Sequence, residues 1–134
     1  MTTPFYAAVD LGSNAFRMMI GQPARGGSRV IREVAFFREP VRLSHGLRGS
    51  ALDDSSLERG WHALERFGKR LRGFEPTRVR AVATNTVRVA SNATVFLAKA
   101  EQRLGFQIDV ISGHEEARLV YAGIAVLCSS LMKN

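Results

Sequence analysis

The chain has 134 residues, 46% hydrophobic and 23% charged, which suits one domain with a buried core and excludes wholesale disorder. Nineteen Lys and Arg against twelve Asp and Glu leave a formal net charge of +7, and all but three of the cations are arginine, the side chain suited to bidentate contact with phosphate oxygens. That balance fits a polyanionic partner and equally a merely basic surface, while the lone Cys128 and three unclustered histidines support neither a disulfide framework nor a structural zinc site.

The start, MTTPFYAAVDLG, has no basic leader, and no segment approaches the roughly 18 apolar residues of a membrane span; a soluble, cytoplasmic protein is expected. Phe5 to Val9, Phe16 to Gly21 and Arg29 to Phe37 are apolar or alternating runs that predict three strands. QPARGGS supplies the reversal between the second and third, giving an antiparallel meander. Residues 38 to 52, REPVRLSHGLRGSAL, hold no sustained period and are expected as a long connection.

In DDSSLERGWHALERFGKRLRGF, the residues Leu57, Trp61, Leu64, Phe67 and Leu71 share one helical face. Ser55 and Glu58 fit a capping box at its start, and Gly73 suits its end. Pro76 leads into TRVRAVAT, residues 77 to 84, expected as a largely buried strand. A helix from about Asn92 to Leu104 follows, with Phe96, Leu97, Ala100 and Leu104 inward and Gly105 as its stop; FQIDVIS then predicts another strand. Ser112 and Glu115 form a second capping box ahead of an apolar stripe of Ala117, Val120, Tyr121, Ile124 and Cys128. The order β-β-β-α-β-α-β-α implies a one-domain α/β fold: a mixed sheet with helices on its faces, the later strands parallel through right-handed crossovers.

Three stretches can carry chemistry. In VDLGSNAFR, Asp10 ends a strand, Gly12 permits a tight turn, and Ser13 and Asn14 add side-chain donors beside backbone N–H groups. Successive N–H groups can cradle an anion, and an edge carboxylate suits Mg²⁺ or its waters; a plain Gly/Ser/Asn turn has the same composition. In ATNTVRVASN, Thr84, Asn85 and Thr86 follow a strand at its carboxyl end, where open α/β sheets place ligands, with Arg88 just beyond. In VISGHEEARLVYAG, Glu115 has the capping task. Glu116, in the same first helical turn, is left to orient a water and accept its proton, or only to complement the helix dipole. His45, His62 and His114 have no evident partner, Trp61 and the phenylalanines fall at core spacing, and Cys128 lies on an apolar face.

Together, AAVDLGSNAFRMMI, ATNTVRVASNATVFLAKAE and VISGHEEARLVYAGI resemble, in order and separation, the exopolyphosphatase and guanosine pentaphosphate phosphatase (Ppx/GppA) family. The resemblance runs from about Phe5 to Ile124 and includes RLSHGL. It implies a ribonuclease H-like domain of the actin, sugar kinase and Hsp70 superfamily, with the D-x-G-S-N hairpin as first phosphate loop. It further implies Mg²⁺-dependent release of the terminal phosphate from inorganic polyphosphate or guanosine pentaphosphate. By that similarity Asp10 positions the metal, Gly12, Ser13 and Asn14 hold phosphate, Arg88 binds phosphate with Thr84 and Asn85 beside it, Arg17 and Arg42 add to the anion path, and Glu116 is the catalytic base.

Family members continue into a second phosphate loop, D-I-G-G-G-S, and a second domain, whereas this chain ends AVLCSSLMKN. The expectation is therefore an amino-terminal domain fragment, weak or inactive alone because positioning and electrostatics supply most of the rate of phosphoryl transfer. A homodimer of the full-length protein is a further expectation, with no membrane and no specific nucleic acid among its partners. Polyphosphate is favoured over guanosine pentaphosphate by the basic balance. A noncatalytic polyanion-binding module and a sugar kinase or actin-like ATPase domain remain as other readings, the last leaving V-I-S-G-x-E-E-A-R unexplained.

Overall fold

A computed structural model describes residues 4–23, 31–83 and 85–111. Strands β1 (Tyr6–Leu11), β2 (Phe16–Pro23) and β3 (Ile31–Glu39) form the expected antiparallel meander. The connection expected over residues 38 to 52 is more structured than its composition indicates. β3 runs on to Glu39, Leu43–Gly46 forms a 3-10 turn, and β4 (Leu47–Arg48) pairs with β5 (Ala51–Leu52) in a minimal hairpin. Helix α1 (Asp54–Arg70) comes next, then β6 (Val79–Ala83), a short helix α2 (Asn85–Val89), α3 (Ala93–Leu104) and β7 (Ile108–Val110). The main sheet has the order β3-β2-β1-β6-β7, with β1, β6 and β7 parallel. This is the mixed five-stranded sheet, three antiparallel strands and then two parallel ones, of a ribonuclease H-like domain. Of QPARGGS only Gln22 and Pro23 are described, both in β2; the helix expected from Ser112 lies outside the described residues.

Alternation sorts the strands into two faces. Ala7, Val9 and Leu11 of β1 stand beside Ile20, Met18 and Phe16 of β2 and beside Val79, Ala81 and Ala83 of β6. This inner face packs against α1 and α3 in one core. The apolar stripe of α1 behaves as its spacing predicts, with Leu57, Trp61, Leu64, Phe67 and Leu71 all buried. Its start does not: Asp53, not Ser55, is the N-cap, its carboxylate accepting from Ser56 N at 2.8 Å. Both residue types can cap, but a carboxylate also complements the helix dipole, and the Ser55 hydroxyl instead accepts from Arg59 Nη1 at 2.8 Å.

Helices α1 and α3 meet through aromatic rings. Phe96 stacks on Trp61 with centroids 6.4 Å apart and meets Phe16 edge-on at 6.5 Å, geometries that ring quadrupoles favour. The Trp61 indole donates to Phe96 O at 3.1 Å. Farther along, Gly68 of α1 faces the end of α3, where an added Cβ would sit 2.5 Å from Arg103 O and 2.9 Å from Leu104 O. Asn92 leaves α3 uncapped by its side chain, which bonds the Leu52 backbone in both directions at 2.9 and 3.0 Å. Gly105 ends α3 as expected, at φ 89° in the left-handed region.

Two stability measurements follow from this packing. Gly68→Ala should lower the urea midpoint: alanine's helix propensity gains about 1 kcal/mol, but the clash is with backbone and overpacking costs about 1–3 kcal/mol. Glu39 accepts two bonds from Arg66, at 2.8 and 2.9 Å, and the Arg66 guanidinium holds its carboxyl below the usual 4.5. With the folded pKa depressed, the pair's contribution is whole above that pH and is lost as pH falls through the folded value. Glu39→Gln should therefore cost about 0.5–1 kcal/mol at neutral pH, an exposed pair's worth, and progressively less in acid; a pH-independent difference in urea melts would contradict this.

Candidate functional site

The turn between β1 and β2 is built by Gly12, Ser13, Asn14 and Ala15, closed by Gly12 N donating to Ala15 O at 3.1 Å. Gly12 is not among the positive-φ residues. It is required by proximity instead, since a Cβ there would lie 2.9 Å from Ala15 O, and 3.7 and 3.8 Å from Arg17 Nη1 and Asp10 Oδ2. The backbone N–H groups of Ser13, Asn14 and Ala15 have no hydrogen-bond acceptor among the described residues, leaving three consecutive donors at the tip.

Two segments distant in sequence hold the turn. Arg42 N donates to Asn14 O at 2.7 Å and Ser44 N to Ser13 O at 3.1 Å, with Ser44 Oγ 3.5 Å from Asn14 Oδ1. Arg42 adopts a left-handed conformation, φ 55°, the one non-glycine residue with positive φ among those described. Such a backbone costs on the order of 1 kcal/mol or more, and the buried Val41 and Leu43 on either side fix it. Arg59 Nε secures the same loop from α1, donating to Val41 O at 3.0 Å. From the other side, Thr86 Oγ1 donates to Ser13 Oγ at 2.5 Å. Thr86, only 5% exposed, stands in α2 just past the carboxyl end of β6, parallel to β1.

On the sheet's other face Asp10 stands opposite Arg17 in register. Its carboxylate, 17% exposed, is 3.7 Å from Arg17 Nη1. Among the described residues no three His, Cys, Asp or Glu side chains converge on a cation site. A carboxylate oxygen beside a turn with three N–H donors at its tip does match how Mg²⁺ is held, through one or two carboxylates with waters and substrate phosphates.

The candidates named from sequence thus fall into groups. Asp10, Gly12, Ser13, Asn14 and Arg17 are together on one hairpin, and Arg42 joins them through its backbone. Asn85 begins α2 and Arg88 is exposed on it. Thr84 and Glu116 lie outside the described residues. Sequence reasoning gave Ser44 no role, because a backbone N–H carries no sequence signal. It named Thr86 within its motif without assigning it to the site, although a hydroxyl following a parallel strand is a usable signal.

The model of the Ppx/GppA phosphatase family matches residues 24–133. Among solved structures, an Aquifex aeolicus member of the Ppx/GppA family is 25% identical, covered over 92% of this chain and 40% of its own, with a TM-score of 0.78. An exopolyphosphatase-like protein is 28% identical over 89% of this chain and 36% of its own, TM-score 0.76. An exopolyphosphatase from Cytophaga hutchinsonii, 22% identical over 90% of this chain and 38% of its own, shares the fold with a TM-score of 0.76. The chain belongs to the Ppx/GppA phosphatase family, and it spans about 40% of the length of the first of these relatives.

Thr86→Val keeps the shape and removes the hydroxyl that reaches Ser13. It should cost about 1 kcal/mol in urea unfolding, and Ser13→Ala made on top of Thr86→Val should then add less than it does alone; full additivity in that double-mutant cycle would deny the coupling.

Proposed function

We propose that the chain carries the first phosphate loop and catalytic base of a phosphoanhydride hydrolase that releases the terminal phosphate of inorganic polyphosphate. The observation that carries this reading is the turn itself: three consecutive N–H donors without acceptors among the described residues, fixed in place by Arg42, Ser44 and Thr86. Family membership supports the reaction class, and two structural relatives are described as an exopolyphosphatase and an exopolyphosphatase-like protein.

In this reading the N–H groups of Ser13, Asn14 and Ala15 take the phosphate oxygens, Gly12 lets the turn close beneath them, and Arg17, Arg42 and Arg88, with Thr84 and Asn85, complete the anion's surroundings. Such preorganised donors cost no reorganisation as charge shifts in the transition state. Asp10 would hold Mg²⁺, which when bound supplies neutralising charge to the phosphoryl oxygens. Glu116 orients a water and accepts its proton as the oxygen attacks phosphorus and the shortened polyphosphate leaves. Guanosine pentaphosphate is the second substrate this family resemblance allows; the basic composition favours the longer anion.

The test has a binding arm and a chemical arm. The chain should bind tripolyphosphate in a salt-sensitive manner, and Gly12→Ala, which forces the turn open, should abolish binding; binding that survives removes the turn from the site. Whatever phosphate release from long-chain polyphosphate the chain shows with Mg²⁺ should fall about a hundredfold or more in Glu116→Gln; turnover unaffected by that change would remove Glu116 as the base, and polyphosphate binding without turnover would leave only a binding module.

A further inference from the structure

Arg17 and Arg38 stand directly opposite each other in the ladder between β2 and β3. Like charges facing across an antiparallel pair are destabilising. Asp10 lies 3.7 Å from Arg17; Arg38 is exposed and has no ion pair among the described residues. Asp10, Arg17 and Arg38 thus form a row across three strands, reaching about 10 Å from β1 to the β3 edge of the described sheet.

Around that edge a cavity of about 290 Å³ opens between β3 and α1, lined in part by Arg38, Glu39, Arg66, Lys69 and Arg70. Glu39 is engaged by both Arg66 bonds, and Lys69 has no ion pair among the described residues. The Arg70 guanidinium lies 4.0 Å above the Phe37 ring, a stacking that leaves its in-plane N–H donors available. It also covers that ring face, so the cavity offers no aromatic platform of the kind that nucleic-acid bases need.

Resting on the turn as a phosphate cradle, we propose that Arg38, Lys69 and Arg70 form a track for the distal phosphates of long inorganic polyphosphate, running from Arg17 around the β3 edge. A short anion is held by the turn alone. A long one gains the edge cations, so this surface selects for chain length.

The experiment compares dissociation constants of the full chain for tripolyphosphate and for long-chain polyphosphate at one moderate salt concentration. The double variant Arg38→Gln with Lys69→Gln should weaken long-chain binding about three- to tenfold, as loss of two exposed charge contacts implies, and leave tripolyphosphate within about twofold. Arg32→Gln with Arg72→Gln, an equal charge loss away from the cavity, serves as the control. Equal effects of the two doubles, or equal losses for the two anions, overturn the track alone. Wild-type protein that binds neither anion overturns the reading of the turn and the track with it. A single-stranded oligoribonucleotide bound as tightly as long-chain polyphosphate overturns the choice of polymer.

Discussion

The meeting of Gly60, Phe96, Phe16 and Trp61 sets the geometry on which the rest of the structure depends. A Cβ on Gly60 would lie 2.8 Å from the Phe96 ring, so only glycine lets α3 close on α1 with that ring wedged between Trp61 and β2. Phe16 is the first residue of β2, directly after the turn of residues 12–15, and is wholly buried. The aromatic cluster is therefore the floor under the candidate site. Close packing of this kind resists small displacements, and a turn built on it starts from a fixed point.

From that floor the topology brings separate segments to one end of the sheet. β1 and β6 are parallel neighbours, so the residues after each, the turn on one side and α2 on the other, emerge side by side. β3 is antiparallel to β2 with Glu39 opposite Phe16, which delivers residues 40–44 to the same place. Three short contacts, from Arg42 N, Ser44 N and Thr86 Oγ1, then join what more than seventy residues of chain separate. Each is worth about 1 kcal/mol net. They engage the Ser13 and Asn14 carbonyls and the Ser13 hydroxyl, while the N–H groups of Ser13, Asn14 and Ala15 keep no acceptor among the described residues.

What could be read from sequence follows from the same physics. The stripe on α1, the three-strand meander, Gly105 as a helix stop and the two later strands are set by local periodicity and backbone preference, and they stand where the pattern places them. The start of α1 departs from the pattern because DDSS offers several capping residues, and choosing Asp53 over Ser55 depends on the Arg59 side chain that occupies Ser55. The five residues of α2 include two valines and a threonine, poor helix formers, and are held by burial of Thr86 and Val87. In the site, the residue types of the turn were legible. The reason for Gly12 was not, since it lies in a contact with Ala15 O and not in a special φ.

The arginine excess has an energetic reading as well. Arg17, Arg48, Arg66, Arg80 and Arg103 each pair with a carboxylate, yet most of these pairs are substantially exposed, and such pairs contribute about 0–1 kcal/mol apiece. Stability therefore accounts for little of the chain's preference for arginine. Where arginines do fix structure they act through backbone and hydroxyl oxygens, as Arg59 does on Val41 O and Ser56 Oγ. Where they gather without enough acid to match, along the β2 and β3 ends, like charges raise the energy of the unliganded surface and lower the relative cost of an anion settling there. Repulsion between neighbouring cations and affinity for phosphate are in that sense one property of the same surface, stated for its empty and its occupied form.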